Sequence, residues 1–353
     1  MSCLGIGFFW IGAFGEMAAF YGRLIFFGFG KEYHYGLFCL HGCKTEIDMD
    51  FYIGPEQENK VLLTYLRQNL SLSRACITAL KKAEDGILLN GRHVTVRAVL
   101  AEGDVLSLKL EDSAEQEESG IVPRHLPFEV LYEDQDVLAA NKPANMPTHP
   151  SHGHYEDTLA NAAAWYFREK HQPFVFRAVN RLDRDTSGIV LLAKNRRAAA
   201  LLAQGMQEHL FQKQYTAVLF GRLPQDSGQI RLPIRRKLPS IIEREVCAPG
   251  EGADAFTQYE VLQRVGRLTL AAAFPKTGRT HQLRVHFSAI GFPIAGDTLY
   301  GTPQSAACAP RQALHCSVLS FPHPAGGTVS VTAPLPEDIR RLLSAEEELC
   351  QHA

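Results

Sequence analysis

No Cys-x-x-Cys pair occurs among the eight cysteines of this 353-residue chain. Cys39-x3-Cys43 is a short spacing without a matching distal pair, so the cysteine and histidine sets that hold structural zinc are not spelled, and no metal site is expected. A disulfide framework suits short secreted chains, not one of this length; the thiols read as reduced, which points to the cytoplasm. A phosphate-binding glycine loop and a dinucleotide fingerprint are also missing. So is a charge excess: the formal net charge is -2, and the chain as a whole is not a basic nucleic-acid binder. No membrane partner is expected either. Glu16 interrupts the apolar N-terminal stretch and would be costly in lipid, and no basic segment precedes Leu4 as a secretory leader requires. Residues 1–48, rich in glycine and aromatics, read instead as an extension that the native protein does without, its natural start being Met49.

Apolar residues make up 46 % of the chain and charged residues 21 %, which fits a globular protein with a sizeable core. The length allows two or three domains at roughly 100–200 residues each. Residues 55–110 read as a small module of helices followed by a hairpin. Val61, Leu62, Tyr65 and Leu66 fall at helical spacing, Ser71 or Ser73 can cap a second helix through Ala83, and Asn90-Gly91 has the chemistry of a hairpin turn. Residues 111–120 carry five acids and no base, so 111–124 reads as a self-repelling linker. From 125 to 345, short strand-like runs are joined mostly by turns: 128–132, 137–141, 188–193, 214–221, 256–262 and 268–274. Helices are expected at 158–171 and 196–209. That order predicts an α+β domain with a mixed, largely antiparallel sheet.

Local charge departs from the total. Residues 177–240 hold twelve Lys or Arg and four acids, a net +8 that can attract a polyanion. Three clusters within or near this stretch could carry chemistry. Asp183 lies in the polar segment Asn180–Gly188, just before the apolar run 189–193, with Arg181 and Arg184 close enough in sequence to keep it ionised. On spacing alone it could equally be an ordinary Asp-rich turn. Lys276–His286 brings together Arg279, His281, Arg284 and His286; the five-residue spacing of its histidines is poor for joint metal ligation. In Phe211–Val218, strand alternation puts Lys213 and Tyr215 on one face, where a tyrosine can be core or can stack on an extruded base.

In order along the chain, these clusters resemble the RluA/RluD-type ribosomal large-subunit pseudouridine synthases. Arg181-Leu182-Asp183-x-x-Thr186-Ser187-Gly188 resembles that family's catalytic loop. Leu131–Asp134 with Asn141-Lys142-Pro143-Ala144 is similar to its opening strand pair, and Lys213-x-Tyr215 to its tyrosine strand. Gly278–His286 followed by Pro293–Asp297 and Tyr300-Gly301 is similar to its basic motif, and Gln312–His315 with Phe321-x-His323-Pro324 to its last strands. The match spans roughly 128–335. Asn180 stands where the family usually has His, and Asn145 where Gly is common.

The 55–110 module separately resembles the S4 RNA-binding domain through Ser73-Arg74, Leu89-Asn90-Gly91 and Glu102-Gly103-Asp104; its RNA surface would be the helix carrying Arg74, Lys81 and Lys82. The resemblance implies an isomerase of RNA uridines that needs no cofactor. Asp183 would start glycosidic cleavage, Arg284 would hold it charged, and Tyr215 would stack on the base and could take the C5 proton. Arg181, Arg184, Lys213, Arg279 and His281 would contact RNA. The implied partner is ribosomal RNA, with transfer RNA as the second choice, and the protein would act as a monomer.

Two rivals remain on sequence grounds. Asp183-Arg184-Asp185-Thr186 spells the DxDT of a magnesium-dependent phosphotransferase, but there the apolar strand should precede the first Asp, and here it follows. A non-catalytic S4-type RNA binder accounts for the charge but gives no reason for Asp183, Tyr215 and Arg284 to occur together.

Overall fold

The computed structural model describes residues 24–25, 36–37, 48–70, 72, 74–109, 120–240 and 242–351. Of the expected extension, β1 (Leu24–Ile25) and β2 (Gly36–Leu37) pair antiparallel; most of the remainder lies outside the described residues, as do Ser71, Ser73 and residues 111–119 of the linker. The chain divides into two compact units, residues 1–60 with 80–110, and residues 61–79 with 111–353.

The N-terminal elements are β3 (Asp48–Tyr52), a 3-10 turn (Pro55–Gln57), α1 (Leu62–Gln68), α2 (Arg74–Lys82), β4 (Ile87–Leu89), β5 (Arg92–His93) and β6 (Val105–Lys109). Their strands form one antiparallel sheet in the order β3-β6-β4-β5. Asn90 and Gly91 both take positive φ (52° and 75°), the geometry that lets a two-residue turn follow the twist of its strands. The Asn90 side chain accepts from the Val105 N–H and donates to Asp104, both at 2.8 Å, and so ties the hairpin turn to the Gly103-Asp104 turn. The sheet begins ahead of the residue-55 boundary read from sequence. Strand β3 is too short to stand out in sequence, and its Asp50 is buried, the carboxylate accepting from Ser107 Oγ.

The larger unit continues with β7 (Glu129–Glu133), β8 (Val137–Lys142), α3 (Leu159–Glu169), β9 (Ser187–Ala193), α4 (Arg196–Gln207), β10 (Gln212–Phe220), β11 (Ser227–Arg231), β12 (Ile234–Arg236), β13 (Arg244–Val246), β14 (Phe256–Val265), β15 (Leu268–Pro275), α5 (Gln282–Ala289), α6 (Pro303–Ala306), β16 (Leu314–Pro322), β17 (Thr328–Thr332) and α7 (Glu337–Gln351). Nine strands make one sheet, ordered β11-β14-β15-β10-β16-β9-β8-β7 with β17 paired to β16. Every pairing in it is antiparallel except β9 with β16. The α+β expectation therefore holds.

Chemistry explains the central elements. All seven residues of β9 are buried, because α3 and α4 help cover an unbroken apolar run. Thr158 and Asn161 form a capping box that starts α3, and the Asn195 side chain accepts from the Ala198 N–H to start α4. Helix α5 hangs on β10 and β15 through Leu283 and Phe287. No helix among the described residues is long and apolar enough to cross a membrane.

Candidate active site

Asp183 occupies the loop that delivers the chain into β9, and that loop is fastened on several sides. Asn180 is buried; its side-chain amide donates to the Ile189 carbonyl at 3.0 Å, and its side-chain oxygen accepts from the Leu191 N–H at 2.8 Å. The side chain thus acts as a neighbouring strand's backbone would and ties the loop to β9. Thr148 Oγ1 donates to the Leu182 carbonyl at 3.0 Å. Lys142 is 0 % exposed, and its Nζ donates to the carbonyls of Pro143 (2.8 Å), Met146 (2.7 Å) and Arg184 (3.0 Å). Gly188 has φ +112°, and a Cβ there would stand 2.3 Å from the Cys316 carbonyl oxygen, so only glycine lets β9 approach β16 at the loop's end.

Arg284, on the first turn of α5, faces this loop. The sequence reading made Asp183 its partner. The principal partner is Asp297: Nε donates to Oδ2 at 2.7 Å and Nη2 to Oδ1 at 2.9 Å. Only Nη1 turns to Asp183 Oδ2, at 3.4 Å, which is long for a hydrogen bond. The reason is satisfaction of charge. Asp297 is fully buried and must be compensated, and its Oδ1 also accepts the N–H groups of Leu299 and Tyr300. Burial works against both charges, yet the pairing outweighs it: the pKa of Arg284 is raised and that of Asp297 lowered. Arg284 is therefore an anchored cation that presents one spare N–H to Asp183.

His281 completes the rim. It caps α5 in the left-handed conformation, φ 59°, with Nε2 3.8 Å from Asp183 Oδ2 and Nδ1 2.7 Å from the Tyr300 hydroxyl. That hydroxyl also accepts from the Arg244 N–H at 2.9 Å. Burial lowers the His281 pKa despite the pull of Asp183, so the ring is neutral near pH 7.

Tyr215 enters from β10, half-buried, and stands opposite Cys316 of β16 in the strand register. Burial first, then Cys316 and Asp183, raise its pKa well above the usual value. It stays a neutral phenol. Lys213 lies near the same cysteine, and burial lowers its pKa.

Of the other residues singled out by sequence, Arg181 and Arg184 flank Asp183 and are exposed, Arg184 held by Asp185 at 3.1–3.2 Å. Arg279 is exposed and donates to the Asp254 carbonyl at 2.9 Å. Arg74 and Lys81 sit exposed on α2 and are not part of the cluster around Asp183. Four supports carried no role in the sequence reading: Lys142, Asp297, Tyr300 and Arg311. The first three stand inside motifs already quoted. Arg311 reaches the loop from far along the chain, donating to the Asp185 carbonyl at 3.0 Å and Ser187 Oγ at 3.3 Å while clamped by Asp338.

Burial pushes the Lys142 pKa from lysine's ordinary 10.5 down to about 7, against the opposing pull of Asp183 and Asp185. The folded chain then binds fewer protons than the unfolded chain between those two values, so this residue makes stability rise with pH from about 7 toward 10.5, with no slope below. Urea midpoints measured across that window should climb for the parent and flatten in Lys142→Met, which should also lose about 1–3 kcal/mol from its orphaned carbonyls. Parallel slopes for both proteins would refute this.

Residues 136–289 match the family model described as RNA pseudouridylate synthase. The chain is 39 % identical over 279 residues, 78 % of its own length and 96 % of the relative's, to the uncharacterized RNA pseudouridine synthase YjbO of Bacillus subtilis strain 168. It is 35 % identical over 291 residues, 78 % of this chain and 85 % of the relative, to ribosomal large subunit pseudouridine synthase D of Xanthomonas campestris pv. campestris. Among solved structures, human RNA pseudouridylate synthase domain containing 1 superposes with a TM-score of 0.51 at 26 % identity, over 62 % of this chain and 94 % of that one.

Proposed function

The chain belongs to the RNA pseudouridylate synthase family, and on that premise we propose that it isomerises uridines of large-subunit ribosomal RNA in the cytoplasm, with Asp183 as the catalytic carboxylate. The reaction breaks the bond from C1′ to N1 of uracil and forms one from C1′ to C5; the C5 proton leaves and N1 gains one, so no redox partner or group donor is consumed. The observation that carries the assignment is the spare N–H of Arg284 on Asp183, supplied by a guanidinium that Asp297 has already fixed. A pre-placed cation keeps the carboxylate charged and oriented without reorganising during the reaction. Asp183 then starts cleavage, by attack at the sugar or by proton removal.

Arg181, Arg184, Lys213, Arg279 and His281 supply positive or donor groups for phosphates and for the extruded base. The N-terminal sheet with α1 and α2 is read as an S4-like RNA holder, with Arg74 and Lys81 outward, and the protein acts as a monomer. Ribosomal RNA is chosen because relatives such as the one from Xanthomonas campestris are named for it.

Unmodified large-subunit ribosomal RNA transcript, incubated with the protein and mapped for pseudouridine, should gain a small, fixed set of sites. A product confined to transfer RNA would move the substrate class, and no product in either RNA would remove the reaction. Tyr215 tests the chemistry separately. Because its phenol is neutral, it can take the C5 proton only by passing its own onward. Tyr215→Phe keeps the ring that stacks and is expected to lower kcat about 10²-fold with an unchanged melting temperature. A Phe variant that fails to fold would show the hydroxyl to be structural instead.

A further inference from the structure

A cleft of about 750 Å³ opens between residues 123–126, the turn at 153–157 and Trp165 of α3. We infer that it holds one unstacked nucleotide of the substrate RNA flanking the target uridine, with Tyr155 as its stacking surface. The inference rests on the reading of the protein as an RNA pseudouridine synthase.

Position is the first argument. The wall of the cleft belongs to the segment 147–158, which is fastened to the catalytic loop. Thr148 bonds Leu182. Asp157, in the cleft itself, adds to the stronger effect of Asp185 in holding Arg184 protonated. Met146 N–H also donates to the Arg184 carbonyl at 3.1 Å, so the segment that runs on into the cleft's turn is tied to both sides of Asp183 within one unit of the chain.

Chemistry is the second. Tyr155 is 63 % exposed, and among the described residues no ring packs on it. Trp165 carries the Arg168 guanidinium 3.9 Å above its ring and the His125 imidazole 5.5 Å away. Flat π-faces beside guanidinium groups suit a base and its phosphate, because every nucleobase has a π-face and every nucleotide a negative charge. Of the two acids of the cleft, Glu156 is paired with Arg124, and Asp157 is hydrogen-bonded to the His154 ring at 2.6 Å. An apolar peptide would find here a rim of paired charges that it could not satisfy.

Tyr155 lies on the surface, so its replacement leaves the fold intact. Tyr155→Ala should raise KM for the unmodified large-subunit ribosomal RNA transcript about tenfold with kcat unchanged, the size expected for one lost base stack. Tyr155→Phe should restore the parent KM, because stacking needs the ring and not the hydroxyl. Ultraviolet crosslinking of the same transcript to the parent protein should label the peptide containing Tyr155. A Tyr155→Ala protein with the parent's KM, or a crosslink map that leaves that peptide unlabelled while the parent turns over normally, overturns the cleft assignment alone. A parent protein that forms no pseudouridine at all overturns the reading of the reaction, and this inference with it.

Discussion

Replacing Asp183 with asparagine is expected to lower kcat by at least about 10⁴-fold, in the range seen when an enzyme loses its principal reacting group. The substitution is nearly isosteric, so the loop held by Asn180, Thr148 and Lys142 should keep its shape. What disappears is the charge that Arg284 and His281 surround. Affinity for RNA should hold or rise slightly, because a negative group has been removed from a surface that meets phosphates. Tritium release from a transcript labelled at uracil C5 reads the first quantity, and filter binding the second. A variant within tenfold of the parent would strip Asp183 of its role. If Asp185→Asn proved the inactive protein instead, the assignment would move two residues along the loop.

The second large effect concerns a residue that touches no reacting atom. Asp297→Ala should cost about 3–5 kcal/mol of stability, because it strands the buried Arg284 without its bidentate partner. The freed guanidinium should also lose its fixed aim at Asp183, so kcat falls as well. A control separates the two losses. Replacing both partners with apolar residues, Arg284→Met with Asp297→Leu, removes the charge pair together and should recover part of the stability, the Leu299 and Tyr300 N–H groups still lacking their acceptor. It should recover none of the activity. Chemical denaturation and turnover on the same preparations decide the matter; a double variant that is active, or an Asp297→Ala protein as stable as the parent, contradicts this account.

Much of the fold was readable from sequence where one local signal dominated. Strands β8 and β9 announced themselves as continuous apolar runs, and α3 and α4 fall within the helices expected at 158–171 and 196–209. Helix α5 did not, because Gln282, Arg284 and His286 are buried polar residues that hide the apolar period. Each has its partners: Gln282 reaches Thr257 and the Phe256 carbonyl, and His286 reaches Thr257 and the Leu232 carbonyl. The short strands β12 and β13 were missed because charged residues fill them. Helix α7 runs to Gln351, past the boundary at 345, since its acidic run reads as solvated chain. The site shows the same division. Asp183, Tyr215 and Arg284 were named through motifs, but the clamp of Asp297 on Arg284 depends on how a turn folds back over α5, which no spacing in the sequence displays.

The lone parallel pairing in the large sheet has a consequence for how the enzyme comes into being. Ser187 and Gly188 of β9 pair with His315 and Cys316 of β16, and the Ser187 hydroxyl meets the His315 ring across a sequence separation of 128 residues. Closing so long a span costs entropy before any contact repays it, and folds built on such distant pairings form slowly. The Asp183 loop thus gains its β16 neighbour only after that strand exists. On the ribosome, Asp183 is made long before the strand that braces its loop emerges. A nascent chain can hold the complete Asp183 motif and still lack the pairing that braces it, until β16 has emerged.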